Sequence, residues 1–271
     1  MRFQSKSSFI YMFRNFGQLF FVTLPVSVLL AIFCNPTLEI DLFASLVTGQ
    51  INAENFFNMF ANAFTVLRFG RYWVVALITL AFFAYTMGVM VVKIDRHMRM
   101  GNMLALPLKR AFGIFPMMLA YIAACVAVCE VFMLIIVGVV YMLRFVPSAE
   151  ALVGIGLGLT LIARAFLVYI FCLLVISVPL KYSENYRFNV AMSYSARIMV
   201  AKRGKLVLIS VIYPFARCAV MALAYLARPL DVIVYIVAAL FVVTFIPCFA
   251  FKQYYDDVGG ERRDISQIMF G

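Results

Sequence analysis

An all-α membrane bundle of six transmembrane helices is the fold this sequence predicts, and three observations predict it. The first is composition: of 271 residues, 66% are apolar and only 13% charged, against about 45–50% and about 25% in soluble domains. A mean hydropathy of +1.02 agrees. The second is the recurrence of apolar stretches near the length that crosses a bilayer, about 20 residues. The third is the placement of the basic residues between those stretches. Together they exclude a soluble enzyme and a disordered chain, and they describe one integral membrane domain over residues 1–271.

The stretches come in order. Phe16–Cys34 and Tyr72–Val92 carry no charge. Phe16–Cys34 follows Arg2, Lys6 and Arg14 like a signal peptide, but it exceeds the usual apolar core and no small-residue cleavage site follows. It is expected to be a retained helix. Ala111–Leu143, its spanning part beginning near residue 114, is interrupted only by Glu130, and Ala151–Leu180 only by Arg164. Both exceed what a bilayer needs, so tilt or an interfacial start is expected. Leu206–Ala227 contains Arg217, and Val232–Phe251 contains no charge.

Orientation follows from the basic residues. The N-terminal tail, the 93–110 and 181–205 loops and the C-terminal tail hold 17 Lys and Arg; the alternate segments hold Arg68, Arg71, Arg144 and Arg228. Lys and Arg accumulate on the cytoplasmic side, so both termini are expected there. The same rule accounts for the net charge of +11, and no nucleic-acid partner is expected because the aromatics lie inside apolar spans.

Three connecting segments have amphipathic character. Glu54–Leu67 alternates Phe56, Phe57, Phe60 and Phe64 with Asn55, Asn58 and Asn62, which suits a helix lying on the outer surface or one capping the bundle. Met103–Phe112 leads through Pro107 towards Pro116. Ser183–Lys205 sets Phe188, Met192, Ile198 and Met199 among Arg187, Arg197, Lys202 and Arg203. Those four cations are candidate contacts for anionic lipid headgroups; a solvated positive-inside loop has the same composition.

The ionisable residues inside spans are Glu130, Arg164 and Arg217. Each costs about 2.5–3.5 kcal/mol at mid-membrane, so partners are expected. A charge network of Glu130 with one or both arginines is the economical arrangement, and it leaves one positive charge over. That network either fixes helix register or faces an anionic ligand. Pro25, Pro179, Pro214 and Pro247 lie in or at the ends of spans, where kinks are tolerated. Gly154, Gly156 and Gly158 permit close helix approach.

Other chemistry is missing from the sequence. Cys125, Cys129, Cys172, Cys218 and Cys248 sit in apolar spans as small hydrophobes, and Cys34 lacks the small residue before it that a lipoprotein site needs. There is no Gly-rich phosphate loop, His-Glu-x-x-His run or Gly-x-Ser-x-Gly. Asp95 and His97 lack metal partners, and Asp256, Asp257, Glu261 and Asp264 do not match a calcium loop. The expectation is a non-enzymatic protein with no cofactor and no metal.

One pattern points to a family. A span closes with Ile176-Ser177-Val178-Pro179-Leu180, Ser183-Glu184-Asn185 opens a loop holding Ala191 and Ser195, and two spans end in Tyr254-Tyr255-Asp256-Asp257 and Glu261-Arg262-Arg263-Asp264. Over roughly residues 100–265 this resembles the membrane domain of bacterial glycerophosphoryl diester phosphodiesterases and its stand-alone six-helix relatives. The phosphodiesterase catalytic barrel has no counterpart here, so that activity is not implied. The resemblance implies a bacterial inner-membrane bundle with elbow-like cytoplasmic helices and an accessory, lipid-related role, with membrane lipids as partners. Two other classes share the topology. A transporter permease would present a Glu-Ala-Ala loop to its ATPase, where this chain reads Asn189-Val190-Ala191. A scaffold or immunity-type protein would bind a membrane-protein partner.

Overall fold

The computed structural model describes residues 8–33, 37–48, 53–100, 107–143, 149–227 and 230–257. Among them every regular element is helical. In chain order these are α1 (Ser8–Arg14), α2 (Phe16–Phe33), α3 (Thr37–Val47), α4 (Ala53–Phe64), the 3-10 helix η1 (Val66–Tyr72), α5 (Trp73–Met100), α6 (Leu108–Met142), α7 (Ala149–Leu174), α8 (Ser177–Glu184), α9 (Phe188–Val200), α10 (Arg203–Leu226) and α11 (Asp231–Asp257). The all-helical prediction therefore holds.

Five helices are long and apolar enough to cross a membrane, and the count rises to six if α1 and α2, bent by 89° at Asn15, form one broken span. Their outer faces are the wide apolar surfaces that suit hydrocarbon rather than water: Phe21, Ile78, Phe112, Ile162, Phe215 and Val237 are all exposed. The expected spans map onto α2, α5, α6, the α7–α8 pair, α10 and α11. Cys34, residues 144–148 and the acidic residues Glu261 and Asp264 lie outside the described residues.

Helix α2 packs against α11 and α5, α6 against α5 and α7, and α10 against α7 and α11. One end of the bundle gathers α1, the end of α5, α8 and α9. Here Tyr11 OH and His97 Nδ1 lie 2.8 Å apart, and Lys93 Nζ donates to the Gln18 carbonyl at 2.9 Å. Halfway along, the Thr23 and Thr244 hydroxyls pair at 3.0 Å between α2 and α11. This pairing satisfies two buried polar groups within an otherwise apolar layer.

The opposite end holds a cap built from α3, α4 and η1. Phe56 and Phe60 of α4 are wholly buried against Met133, Val137 and Val140 of α6 and Leu152 and Val153 of α7, while Asn55, Asn58 and Asn62 are exposed. Of the two positions open to this amphipathic segment, the structure thus adopts the cap. Gly156 makes room for it, because a Cβ there would stand 3.1 Å from Phe56 Cζ. Gly154 and Gly158 face open space, so only the middle glycine of the three acts as a packing notch.

Length explains why a cap forms. At 35 residues α6 extends about 52 Å, well past the hydrocarbon thickness of about 30 Å. Glu130 meets the start of η1, where its Oε2 accepts the Val66 N–H at 3.0 Å. The twelve residues of α6 beyond it rise about 18 Å further. The phenylalanines of α4 cover the flank of that overhang.

Candidate functional site

Two polar centres emerge from the helix packing. The first lies under the cap. On α10, Leu206, Ser210, Pro214, Met221 and Ala224 form the buried stripe, and Arg217 occupies the same stripe by its spacing of three and four. On α7, Thr160 and Ala163 are buried and Arg164 lies one turn on from Thr160. The α7–α10 contact thus brings two guanidiniums into one interface.

Their counter-charge comes from Glu39, in the first turn of α3. Glu39 Oε1 accepts from Arg164 Nη2 at 3.0 Å and from Arg217 Nη2 at 2.6 Å. The carboxylate is 1% exposed, whereas the Arg164 and Arg217 side chains retain 17% and 30%. Arg164 also stacks over the Phe64 ring at 4.8 Å, which ties α4 to the same centre. Tyr213, one turn earlier on α10, interacts with Arg217. Glu39 lies outside the apolar spans. Burial pushes its carboxyl pKa up, but Arg217 and Arg164, by charge and by hydrogen bonding, outweigh that and hold it below the usual carboxylate range.

The expected network is therefore corrected in one member. Arg164 and Arg217 do meet, but on Glu39 and not on Glu130, whose carboxylate serves the Val66 N–H of η1 instead. The reason is topological. A two-residue salt bridge needs helices that face each other, and the chain supplies the acid by folding its first long connection back onto the bundle. The signal available beforehand was the charge balance: two arginines against one glutamate pointed to a further acid, and Glu39 stands between Leu38 and Ile40 on an apolar segment.

The centre is incompletely satisfied. Glu39 Oε2, Arg217 Nε and the Tyr235 hydroxyl are buried without a hydrogen-bond partner among the described residues. Tyr235 sits in the first turns of α11, packed with Ala31, Ile40 and Ala224. Glu39, Arg217 and Asp231 are its electrostatic neighbours. Within the ion-paired cluster two guanidiniums meet one carboxylate, and among the described residues the three orphan atoms leave an unfilled need for both a donor and an acceptor.

The second centre lies at the α8/α9 end. Asp95 Oδ1 accepts from Tyr255 OH at 2.7 Å, Arg99 Nε at 3.1 Å and Ser183 Oγ at 3.1 Å. Arg99 Nε also donates to the Tyr255 oxygen at 2.9 Å, and Tyr254 OH donates to Glu184 Oε1 at 2.6 Å. This clasp joins α5, α8 and α11. Asn185 then turns the chain in the left-handed region at φ 55°, a conformation asparagine tolerates at a helix end, and α9 sets off along the bundle.

Helix α9 buries Ala191, Ser195 and Met199 at helical spacing; Ser195 Oγ donates to the Leu173 carbonyl at 2.7 Å. Its other face exposes Phe188, Val190, Tyr194 and Val200 with Arg187 and Arg197. Tyr186 and Tyr194 stack with centroids 5.6 Å apart. Of the four candidate headgroup residues, Arg187, Arg197 and Arg203 are exposed. Lys202 is turned towards α11, where Nζ donates to Gln253 Oε1 at 2.7 Å.

Comparison with protein-family profiles, with curated proteins and with solved structures finds no match for this chain.

Proposed function

We propose that this chain is an accessory, lipid-associated protein of a bacterial inner membrane, crossing it six times with both termini in the cytoplasm and working without catalysis. The observation that carries the reading is the two-faced surface of α9. One face buries Ala191, Ser195 and Met199, and Ser195 Oγ donates to the Leu173 carbonyl of α7. The other presents aromatic rings interleaved with Arg187 and Arg197, beside Arg203 and the exposed Val207 and Leu208 of α10. Aromatic rings favour the headgroup level and arginines favour anionic lipid there. The basic residues of the connecting loops lie mostly at this same end, which supports placing it in the cytoplasm.

The test uses the full chain in nanodiscs. Trp73 is the single tryptophan, so a Trp73→Phe background carrying Tyr194→Trp reports only from α9. Brominated phosphatidylglycerol is expected to quench that tryptophan more than brominated phosphatidylcholine at low salt. The preference should shrink in high salt and in an Arg187→Gln, Arg197→Gln, Arg203→Gln variant. Equal quenching by the two lipids rules out recognition of anionic lipid by α9.

A further inference from the structure

The incomplete centre under the cap asks for a definite kind of chemistry. Arg217 Nε can only donate, and Glu39 Oε2, ionised, can only accept. The Tyr235 hydroxyl can do either. In the structure these atoms do not satisfy one another, although Tyr235 neighbours both of the other groups. A single bridging group must therefore accept from the guanidinium and donate to the carboxylate. Negative charge on that group is favoured, because two arginines are ion-paired to one glutamate. A simple carboxylate meets the first and last requirements but brings no donor to Glu39 Oε2. A phosphate bearing a hydroxyl meets all three. Its P–O⁻ oxygens match the planar fork of arginine, and its O–H completes the buried carboxylate.

We propose that Arg217, Tyr235 and Glu39, with Arg164 beside them, form a binding site for a singly charged phosphate that carries a hydroxyl group. Two sources share that chemistry: free dihydrogen phosphate, whose own P–OH groups are the donors, and the headgroup of phosphatidylglycerol, whose glycerol hydroxyl is. The two arginine side chains keep 17% and 30% exposure while Glu39 keeps 1%. Glu39 is then a discriminator, since it repels any anion that lacks a hydrogen to offer. This site is at the opposite end of the bundle from α9, and it stands or falls separately from the lipid reading of that helix.

The experiment measures thermal unfolding of the full-length protein in a neutral detergent. Inorganic phosphate is titrated against sulfate, which has the same shape but no O–H at neutral pH. A parallel arm adds phosphatidylglycerol or phosphatidylcholine. Stabilisation by phosphate with no response to sulfate supports the site and assigns it to the free anion. Stabilisation by phosphatidylglycerol alone, relative to phosphatidylcholine, in a background carrying Arg187→Gln, Arg197→Gln and Arg203→Gln, supports it and assigns it to the lipid. Tyr235→Phe removes one of the three orphan groups and is expected to weaken binding about tenfold, the value of one hydrogen bond. Equal responses to phosphate and sulfate overturn the proposal. So does the lack of any response in both arms, or unchanged affinity in Tyr235→Phe. The sulfate comparison uses the unaltered protein and decides the matter even if that variant folds poorly.

Discussion

Asp95 at one end of the bundle and Glu39 at the other are both nearly buried carboxylates held by arginine, yet their surroundings differ. Asp95 Oδ1 gathers a guanidinium and two hydroxyls from three helices, with Arg99 on its own helix one turn away. Its local charge balances. Glu39 gathers two guanidiniums on Oε1 from two other helices and, among the described residues, nothing on Oε2. Its local charge does not balance. The first centre is what a structural clasp looks like when its hydrogen-bonding capacity is used. The second keeps capacity in reserve, at a position where an unfilled polar group is expensive. The contrast separates a device for holding helices together from one able to hold something else.

The comparison can be broken most forcefully at Glu39. Glu39→Gln leaves two guanidiniums confronting each other with no counter-charge, a loss of about 3–5 kcal/mol when one partner of a buried pair is removed. The melting temperature of the detergent-solubilised protein should fall steeply, and more than for any single change at the Asp95 clasp. Acid should mimic the substitution. The Glu39 carboxyl is held below its ordinary value of 4.5, so its contribution is fully present above that pH and is lost as pH falls through the lowered value. Melting temperature plotted against pH should therefore drop on the acid side in the wild type and drop less in Glu39→Gln. Identical acid limbs would mean that Glu39 is not the charge that matters.

A milder change sharpens the other side. Tyr255→Phe removes a hydroxyl that donates to Asp95 and accepts from Arg99, but leaves Asp95 its bonds to Arg99 and Ser183. The expected cost is about 1–2 kcal/mol, and binding of phosphate under the cap should not change. A loss as large as that of Glu39→Gln would show that the clasp is less redundant than its bond pattern indicates.

Much of this architecture is legible in the sequence because hydropathy reports a solvent. Stretches such as Tyr72–Val92 and Val232–Phe251 have one stable environment, and the helices form where they lie. The Phe/Asn alternation of residues 54–67 likewise gives away a two-faced helix. What the sequence conceals is where the long first connection goes. Nothing in the spacing of Glu39 to Arg164 or Arg217 marks a contact, since 125 and 178 residues separate them. Charge conservation alone hinted at a missing acid. Tyr235 was hidden for a different reason: a tyrosine near the start of a membrane helix suits an interfacial anchor, and only its packing against α3 turns it inward. Lys202 shows the converse. Its basic surroundings suggest a headgroup contact, while its geometry assigns it to Gln253.

The smallest effect is expected where the sequence placed the most weight. Glu130 is the only acid within an apolar span, yet its Oε2 accepts a backbone N–H, and an amide oxygen does that as well as a carboxylate. Glu130→Gln should therefore stay within about 0.5 kcal/mol of the wild type, the range of substitutions that break no buried network. Glu130→Ala should cost more, about 1 kcal/mol, because the Val66 N–H at the start of η1 loses its acceptor. A double-mutant cycle by thermal melting makes the comparison with Glu39 direct. Pairing Glu130→Gln with Arg217→Gln should give additive losses within about 0.3–0.5 kcal/mol, as independent sites do. Pairing Glu39→Gln with Arg217→Gln should show coupling well above that, since once the carboxylate is neutral, removing the guanidinium relieves repulsion from Arg164. Coupling of Glu130 to Arg217 above about 1 kcal/mol would return Glu130 to the charge network and take the counter-charge away from the cap.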